Sequence, residues 1–206
     1  MPSQERAHKT QLLIFEASLR LLEQEGLENF NTNRLAQTSG FSVGTIYQYF
    51  DDKQAILRSL AQHEQQRAMQ EVRRLLLADF ANLPSDERSP RVRAVVRAIL
   101  HTFGNRHRAH KILLDIALQA GDQEKLDTPT LTPLAVLLTS GTIASRSGDA
   151  LTLSETDAFV LTHAVTGPIR NALLHNVRLF KKQQFEDSLV DLIDAFVRRR
   201  TGEIRQ

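Results

Sequence analysis

Between residues 42 and 53 a serine, a threonine, two tyrosines, a glutamine and a lysine fall within one short stretch: Ser42-Val43-Gly44-Thr45-Ile46-Tyr47-Gln48-Tyr49-Phe50-Asp51-Asp52-Lys53. Hydroxyls, an amide and thin apolar side chains are what reading the edges of DNA bases in a major groove requires. Thr45 offers a hydroxyl and a methyl, Gln48 can pair with adenine through two hydrogen bonds, and Gly44 lets the backbone come close. Ser42 and Val43 share that face. Tyr47, Tyr49, Lys53 and, upstream, Thr32 are placed to hold phosphates, and Asn33 to reach a base or a phosphate. Ile46 and Phe50 should turn inward.

Other chemistries are poorly served. The chain has no cysteine, so it offers no disulfide, thiolate metal site or thiol nucleophile. His107 and His110 could share a helix face, with Asp115 downstream, but that is an incomplete metal set. No glycine-rich phosphate loop, Ser-His-Asp ordering or paired carboxylates stand out. Neither catalysis nor a cofactor or metal is therefore expected.

At 206 residues, with 41% hydrophobic and 24% charged residues, the chain is long enough for one large or two small globular domains. It contains no apolar run of membrane-spanning length and no signal-peptide pattern, so a cytoplasmic protein with no membrane partner is expected. The charge balance is informative where it is least basic. Residues 1–53 carry five Lys or Arg against seven Asp or Glu, a difference of −2. Phosphate contact must then come from local placement of donors and helix N-termini.

The elements that position these groups are helical, since strand patterns are nearly absent. A first helix from about Lys9 to Glu25 ends at Gly26, where a left-handed cap fits. Asn31 caps a short second helix ended by Gly40, and Ser42 caps a third from Val43 to about Tyr49. Two short helices around a glycine-containing turn form a helix-turn-helix. Asp51 or Asp52 opens a fourth helix reaching about Phe80, and Leu83 to Pro90 forms a loop. Further helices are expected at about 91–104, 108–120, 128–146, 154–178 and 182–200, giving an all-α fold of about nine helices. The helix at 154–178 is apolar nearly all round, and the last carries an apolar stripe with Glu186, Asp187, Asp191 and Asp194 largely outside it. Two such helices can pair with their own copies across a two-fold axis. Phe159, Thr166, Gly167, Arg170 and Leu174 on the first, and Phe185, Leu189, Leu192 and Phe196 on the second, are the candidate seam.

The span from about His8 to Ala68 resembles the DNA-binding domain of TetR-type transcriptional regulators. The likeness rests on the helix ending in Gly26, Leu35-Ala36, Gly40, Ser42-x-Gly44-Thr45-Ile46-Tyr47-x-Tyr49-Phe50 and Lys53-x-x-x-Leu57. It implies a homodimeric, all-helical repressor whose second domain binds a small effector and dimerises through its last two long helices. Two positions depart from the family pattern. Asn31 stands where threonine is usual, turning a hydroxyl contact to phosphate into an amide one. Val43 stands where a basic residue is common, which favours contact with a thymine methyl.

The division implied is a helix-turn-helix domain over residues 1–51 and an effector-binding and dimerisation domain over 52–206. Candidate pocket residues are His101, Phe103, His107, Ile112 and Ile116, with Leu138, Phe159 and His163. From Arg88 to Lys111 there are seven Lys or Arg (Arg88, Arg91, Arg93, Arg97, Arg106, Arg108, Lys111) and no acid. They form either a solvated surface or the mouth of a pocket for an anionic ligand. The expected partners are thus a palindromic double-stranded DNA operator, a second copy of the chain and a small effector, anionic or apolar. The alternatives are an activator, an effector-independent repressor, or a helical ligand-binding protein or enzyme whose helix-turn-helix is merely structural.

Overall fold

A computed structural model describes residues 2–77, 90–119, 143–144, 150–151 and 153–201. Its helices are α1 (Pro2–Glu25), α2 (Thr32–Ser39), α3 (Val43–Tyr47), α4 (Lys53–Leu77), α5 (Pro90–Asn105), α6 (His107–Gln119), α7 (Glu155–His175) and α8 (Gln183–Thr201). The fold is all-α. A 3-10 turn, Val177–Lys181, joins the last two helices. The single ladder among the described residues pairs β1 (Ile143–Ala144) with β2 (Ala150–Leu151), antiparallel, Ile143 opposite Leu151 and Ala144 opposite Ala150.

Several boundaries differ from the sequence expectation for physical reasons. Helix α1 starts at Pro2, not Lys9, because proline is well suited to a first helical turn and Glu5 complements the helix dipole there, although the segment lacks apolar periodicity. The helix expected over 128–146 is contradicted at Ile143–Ala144, which are strand; residues 128–142 lie outside the described residues. So do 78–80, at the expected end of α4, and 83–89 of the expected loop. Helix α7 stops at His175, where Asn176 leaves helical geometry at φ −150°, and it carries Pro168 within its span.

The chain divides into two compact units, one of residues 1–64 with 106–123 and the other of 65–105 with 124–206. The first unit thus runs beyond residue 51 and takes in α6. Its core joins Ile14, Leu22, Phe30, Leu35, Ile46, Phe50, Leu57 and Leu60 from α1 to α4 with Ala109 and Leu113 of α6. Glycine is required twice, at Gly26 (φ 82°) and Gly40 (φ 75°), where left-handed backbone ends α1 and α2.

The second unit packs α5, α7 and α8 around Val96, Leu100, Leu161, Val165, Ile169, Leu189 and Val190. Its edge is closed by charge. Arg93 lies 3.0 Å from Glu186 and 2.6 Å from Asp187, and Arg97 lies 2.8 Å from Glu186. Glu186 is therefore buried in this cluster, not outside the α8 stripe as its sequence position suggests. Burial by itself disfavours its charged form, but hydrogen bonds from Arg97 and Arg93 and their charges outweigh that and hold its pKa below the usual carboxylate value.

Candidate nucleic-acid interface

The helix-turn-helix is held by two side-chain caps and a left-handed glycine. Asn31, in extended backbone, accepts a 2.9 Å hydrogen bond from the Arg34 amide, so an amide side chain does the capping work at α2. Gly40 donates its amide to the Ala36 carbonyl and closes that helix. At α3, Ser42 Oγ accepts from the Thr45 amide at 3.0 Å and lies 2.8 Å from Thr45 Oγ1. The first turn of the reading helix therefore carries a pre-set pair of hydroxyls.

The inward and outward faces separate cleanly. Ile46 and Phe50 are buried, with the Phe50 ring 5.7 Å from that of Phe15, so α3 is seated on α1. Ser42, Gly44 and Gln48 are exposed, Val43 and Thr45 half-buried, and the Tyr47 side is open at 50% exposure. Tyr47 Oη lies 3.5 Å from Thr32 Oγ1, which puts the start of α2 and the end of α3 on one surface. Asn31 and Asn33 are exposed beside Thr32, near the first-turn amides of α2, a favourable place for a phosphate. Together these groups offer base-edge hydrogen bonding flanked by donors suited to backbone oxygens.

Two of the phosphate-contact candidates also have structural duties. Tyr49 is half-buried against the first core. Lys53 donates from Nζ to the Leu27 carbonyl at 3.1 Å and lies 5.7 Å from the centroid of the Phe30 ring. Nothing in the sequence signals that tie, because its partners are 26 and 23 positions away and one of them is a backbone oxygen. The Arg34–Glu25 ion pair, 2.6 Å, is a second contact that local patterns do not announce.

The pocket candidates fall in different units. Ile112 and Ile116 pack on the first core, and His107 Nδ1 lies 3.9 Å from Glu23 in the same unit. Phe103 packs on the second core. His163 Nδ1 donates to the Phe159 carbonyl at 2.9 Å, and the two rings lie 4.0 Å apart on an exposed face of α7. His101 lines a cleft of about 470 Å³ between the second half of α4 and α5, with Arg67, Gln70, Glu71, Arg74, Ala98 and Thr102. Leu138 lies outside the described residues.

Of the basic segment, Arg88 and the Arg91 side chain lie outside the described residues, Lys111 is exposed, and four arginines are paired. Arg93 and Arg97 are paired to Glu186 and Asp187, Arg106 to Glu16 and Arg108 to Glu28. Among the described residues no group of three potential metal ligands comes together; His110 instead meets Glu64 at 3.1 Å in a buried pair.

Of the seam candidates, Phe159 and Leu192 are exposed and Gly167 has open space where a Cβ would point. Thr166 is half-buried and bonds back to the Thr162 carbonyl, Arg170 is exposed, and Leu174 is half-buried. Leu189 is buried in its own core, Phe185 and Phe196 pack against that core, and Arg200 stands over the Phe196 ring.

Comparison with known proteins follows the same lines. Residues 14–60 match the family model described as bacterial regulatory proteins, tetR family. An HTH-type transcriptional regulator of Staphylococcus aureus (strain USA300) is 42% identical over 40 residues, 19% of this chain and 22% of that protein. The chain thus aligns with only about a fifth of the length of these curated relatives. Among solved structures, the fatty acid degradation regulator FadR from Bacillus halodurans superimposes with a TM-score of 0.59 at 17% identity, covering 91% of this chain and 93% of that one. A TetR-family transcriptional regulator from Streptomyces coelicolor gives 0.57 at 20% identity over 93% and 99% of the two chains. BioQ, solved with its double-stranded DNA operator, gives 0.51 at 20% identity over 89% and 95%. These likenesses are of fold, whereas the match over residues 14–60 falls on the helix-turn-helix itself, which is similar to that of tetR-family bacterial regulatory proteins.

Proposed function

We propose that the protein is a homodimeric, sequence-specific repressor of transcription, a cytoplasmic regulator and not an enzyme, released from a palindromic operator by a small-molecule effector. The observation that carries this is the division of α3: Ile46 and Phe50 lock it to the first core while Ser42, Gly44, Tyr47 and Gln48 are left exposed. Each protomer would lay α3 in a major groove, with half-sites about 34–36 Å or a multiple of that apart. BioQ, a structural relative, has been solved on a DNA operator, which supports the same use of this fold.

The effector half of the proposal is supported by the cleft beside α5. Its lining combines Arg67, Gln70 and His101 with Arg74, itself paired to Glu71 at 2.7 Å, and with Ala98 and Thr102, so it suits a small ligand with both polar and apolar parts. Differential affinity for the DNA-free state would then release the operator, with α4 carrying the change to the reading head. Gel shifts on DNA upstream of the protein's own gene test the whole reading. A sequence-specific complex that weakens steeply with salt is expected, and Tyr47→Ala with Gln48→Ala should weaken it by about 10-fold or more without lowering Tm. Binding indifferent to sequence would favour a helical ligand-binding protein with a structural helix-turn-helix.

A further inference from the structure

The end of α1 lacks what a helix C-terminus ordinarily draws on, since its last turn holds no basic residue. The cations come from elsewhere. Arg34 of α2 holds Glu25 at 2.6 Å, and Lys53 at the start of α4 holds the Leu27 carbonyl at 3.1 Å. Arg108, in the first turn of α6, donates to the Gln24 carbonyl at 3.1 Å and to Glu28 at 3.2 Å. Three helices thus send one cation each to the turn that leads into α2 and α3. Gly26 at its centre is buried, and a side chain there would run into the Arg108 guanidinium and the Glu28 carboxylate.

The exchange between α1 and α6 is reciprocal. The first turn of α6 contains no acid, yet an N-terminus carries partial positive charge and unsatisfied amides. Glu23, from the last turn of α1, supplies the anion by accepting the Ala109 amide at 2.9 Å. The C-terminal end of α1 therefore takes a cation from α6, and the N-terminal end of α6 takes an anion from α1. Arg106, immediately before α6, fastens the joint with two hydrogen bonds to Glu16, at 2.8 and 2.5 Å. These bonds raise the Arg106 pKa above its ordinary value.

We propose that α6 is a working part of the DNA-reading head and that Glu23, Arg106 and Arg108 are positioning residues for α2 and α3. By capping each other, α1 and α6 fix the turn at residues 24–28, and that turn sets how the reading helix is presented. The net charge agrees with this role. Residues 1–64 carry six Lys or Arg and eight Asp or Glu, a difference of −2; residues 106–119 carry Arg106, Arg108 and Lys111 against Asp115, a difference of +2. Docked α6 offsets the acidic excess of residues 1–64 and pairs Glu16 with Arg106 and Glu28 with Arg108.

The inference rests on the regulator reading, and hydrogen exchange on the full-length chain separates the two. In Arg106→Glu and Glu23→Gln, amides of residues 32–47 should exchange about 10-fold faster while those of residues 155–175 keep their wild-type rates. Affinity for upstream DNA should fall by about 10-fold, and the charge-reversed pair Glu16→Arg with Arg106→Glu should restore both to within about threefold. Unchanged exchange at residues 32–47, an equal loss of protection at residues 155–175, or failure of the reversed pair to restore would overturn the proposal. If Arg106→Glu does not fold, the near-isosteric Glu23→Gln carries the test. A wild-type chain that binds no DNA defeats the regulator reading alone, because the exchange result still decides the role of α6.

Discussion

The two units dispose of apolar surface differently. In the first, Ile14, Leu22, Phe30, Leu35, Ile46 and Leu57 are almost wholly out of water, and the surface around α3 is left to hydroxyls, amides and one tyrosine; Leu12 and Leu13 on α1 are the exceptions. In the second, α7 buries Leu161, Val165 and Ile169 but leaves Phe159 at 60% and Val160 at 45% exposure, with Leu192 of α8 at 42%. Each Å² of such surface covered contributes about 25 cal/mol, so the bare face of the second unit is the one that gains from a partner. The reading head is complete as a single copy and displays polar groups; the other unit is not, and displays an apolar one. On the proposed function, specific DNA binding would need both, because residues 1–53 are net acidic and a single head would have little general attraction for phosphates.

The sharpest way to break this comparison is to charge the apolar face. Phe159→Asp with Leu192→Asp should give a monomer by sedimentation, with helix content unchanged. Operator affinity should then drop by about 100-fold or more, since two linked heads bind with an effective concentration that one head lacks. A double variant that stays dimeric would mean that the exposed side chains do not form the seam.

A second prediction concerns the charge cluster that closes the same unit. Glu186→Gln leaves Arg93 and Arg97 beside each other with only Asp187 to offset them. Arg97 is largely exposed, so solvent screening limits the loss to about 1–2 kcal/mol, seen as a lower urea midpoint. The pH dependence follows from the lowered pKa of Glu186. A carboxylate depressed in the folded state stabilises above its unfolded pKa, so the wild-type advantage over Glu186→Gln should be complete at neutral pH. It should disappear as pH falls through and below the ordinary carboxylate range. An advantage that persists into acid would show that Glu186 acts through packing and not charge.

The same contrast explains how much of the molecule is legible from its residues alone. The head is written locally: Asn31 caps Arg34, Ser42 caps Thr45 and Gly40 ends α2, all within a few positions of one another. Helix α7 is legible for the same reason, from the Ser154 cap on the Asp157 amide and the long apolar run that follows it. What could not be read depends on distance along the chain. Seven cations without an acid between Arg88 and Lys111 look like a free basic surface until Glu16, Glu28, Glu186 and Asp187 are seen to answer four of them, Arg93, Arg97, Arg106 and Arg108, from 80 or more positions away. The start of α1 is a different failure: Ser3 to Gln11 is helical without an apolar stripe, so periodicity is silent there. The pocket candidates scatter because a helical period places residues on a face but does not say which unit that face joins.

Caps offer a smaller and more local measure. Asn31→Ala should cost about 1 kcal/mol, and Asn31→Thr should recover most of it, because threonine can accept the same Arg34 amide. Operator affinity should fall with the alanine variant by no more than the cap loss explains, about fivefold. A much larger fall at unchanged Tm would assign Asn31 a contact with DNA beyond its capping role.

The finest test uses a residue with no side chain. Gly167 lies inside α7, and among the described residues nothing beyond the helix's own neighbouring backbone comes within 4 Å of a Cβ built there. Alanine is better than glycine in a helix interior by about 0.8–1 kcal/mol, so Gly167→Ala should stabilise an isolated protomer. At the proposed seam the same methyl group meets the partner copy and holds two helices apart. The expected outcome is therefore a split: slower exchange of α7 amides together with a dimer that dissociates at about 5-fold higher concentration. If the dimer is undisturbed and Tm simply rises, Gly167 faces water. The seam would then run along the Phe159 and Leu192 side of the helices, where apolar surface is exposed without any need for close backbone approach.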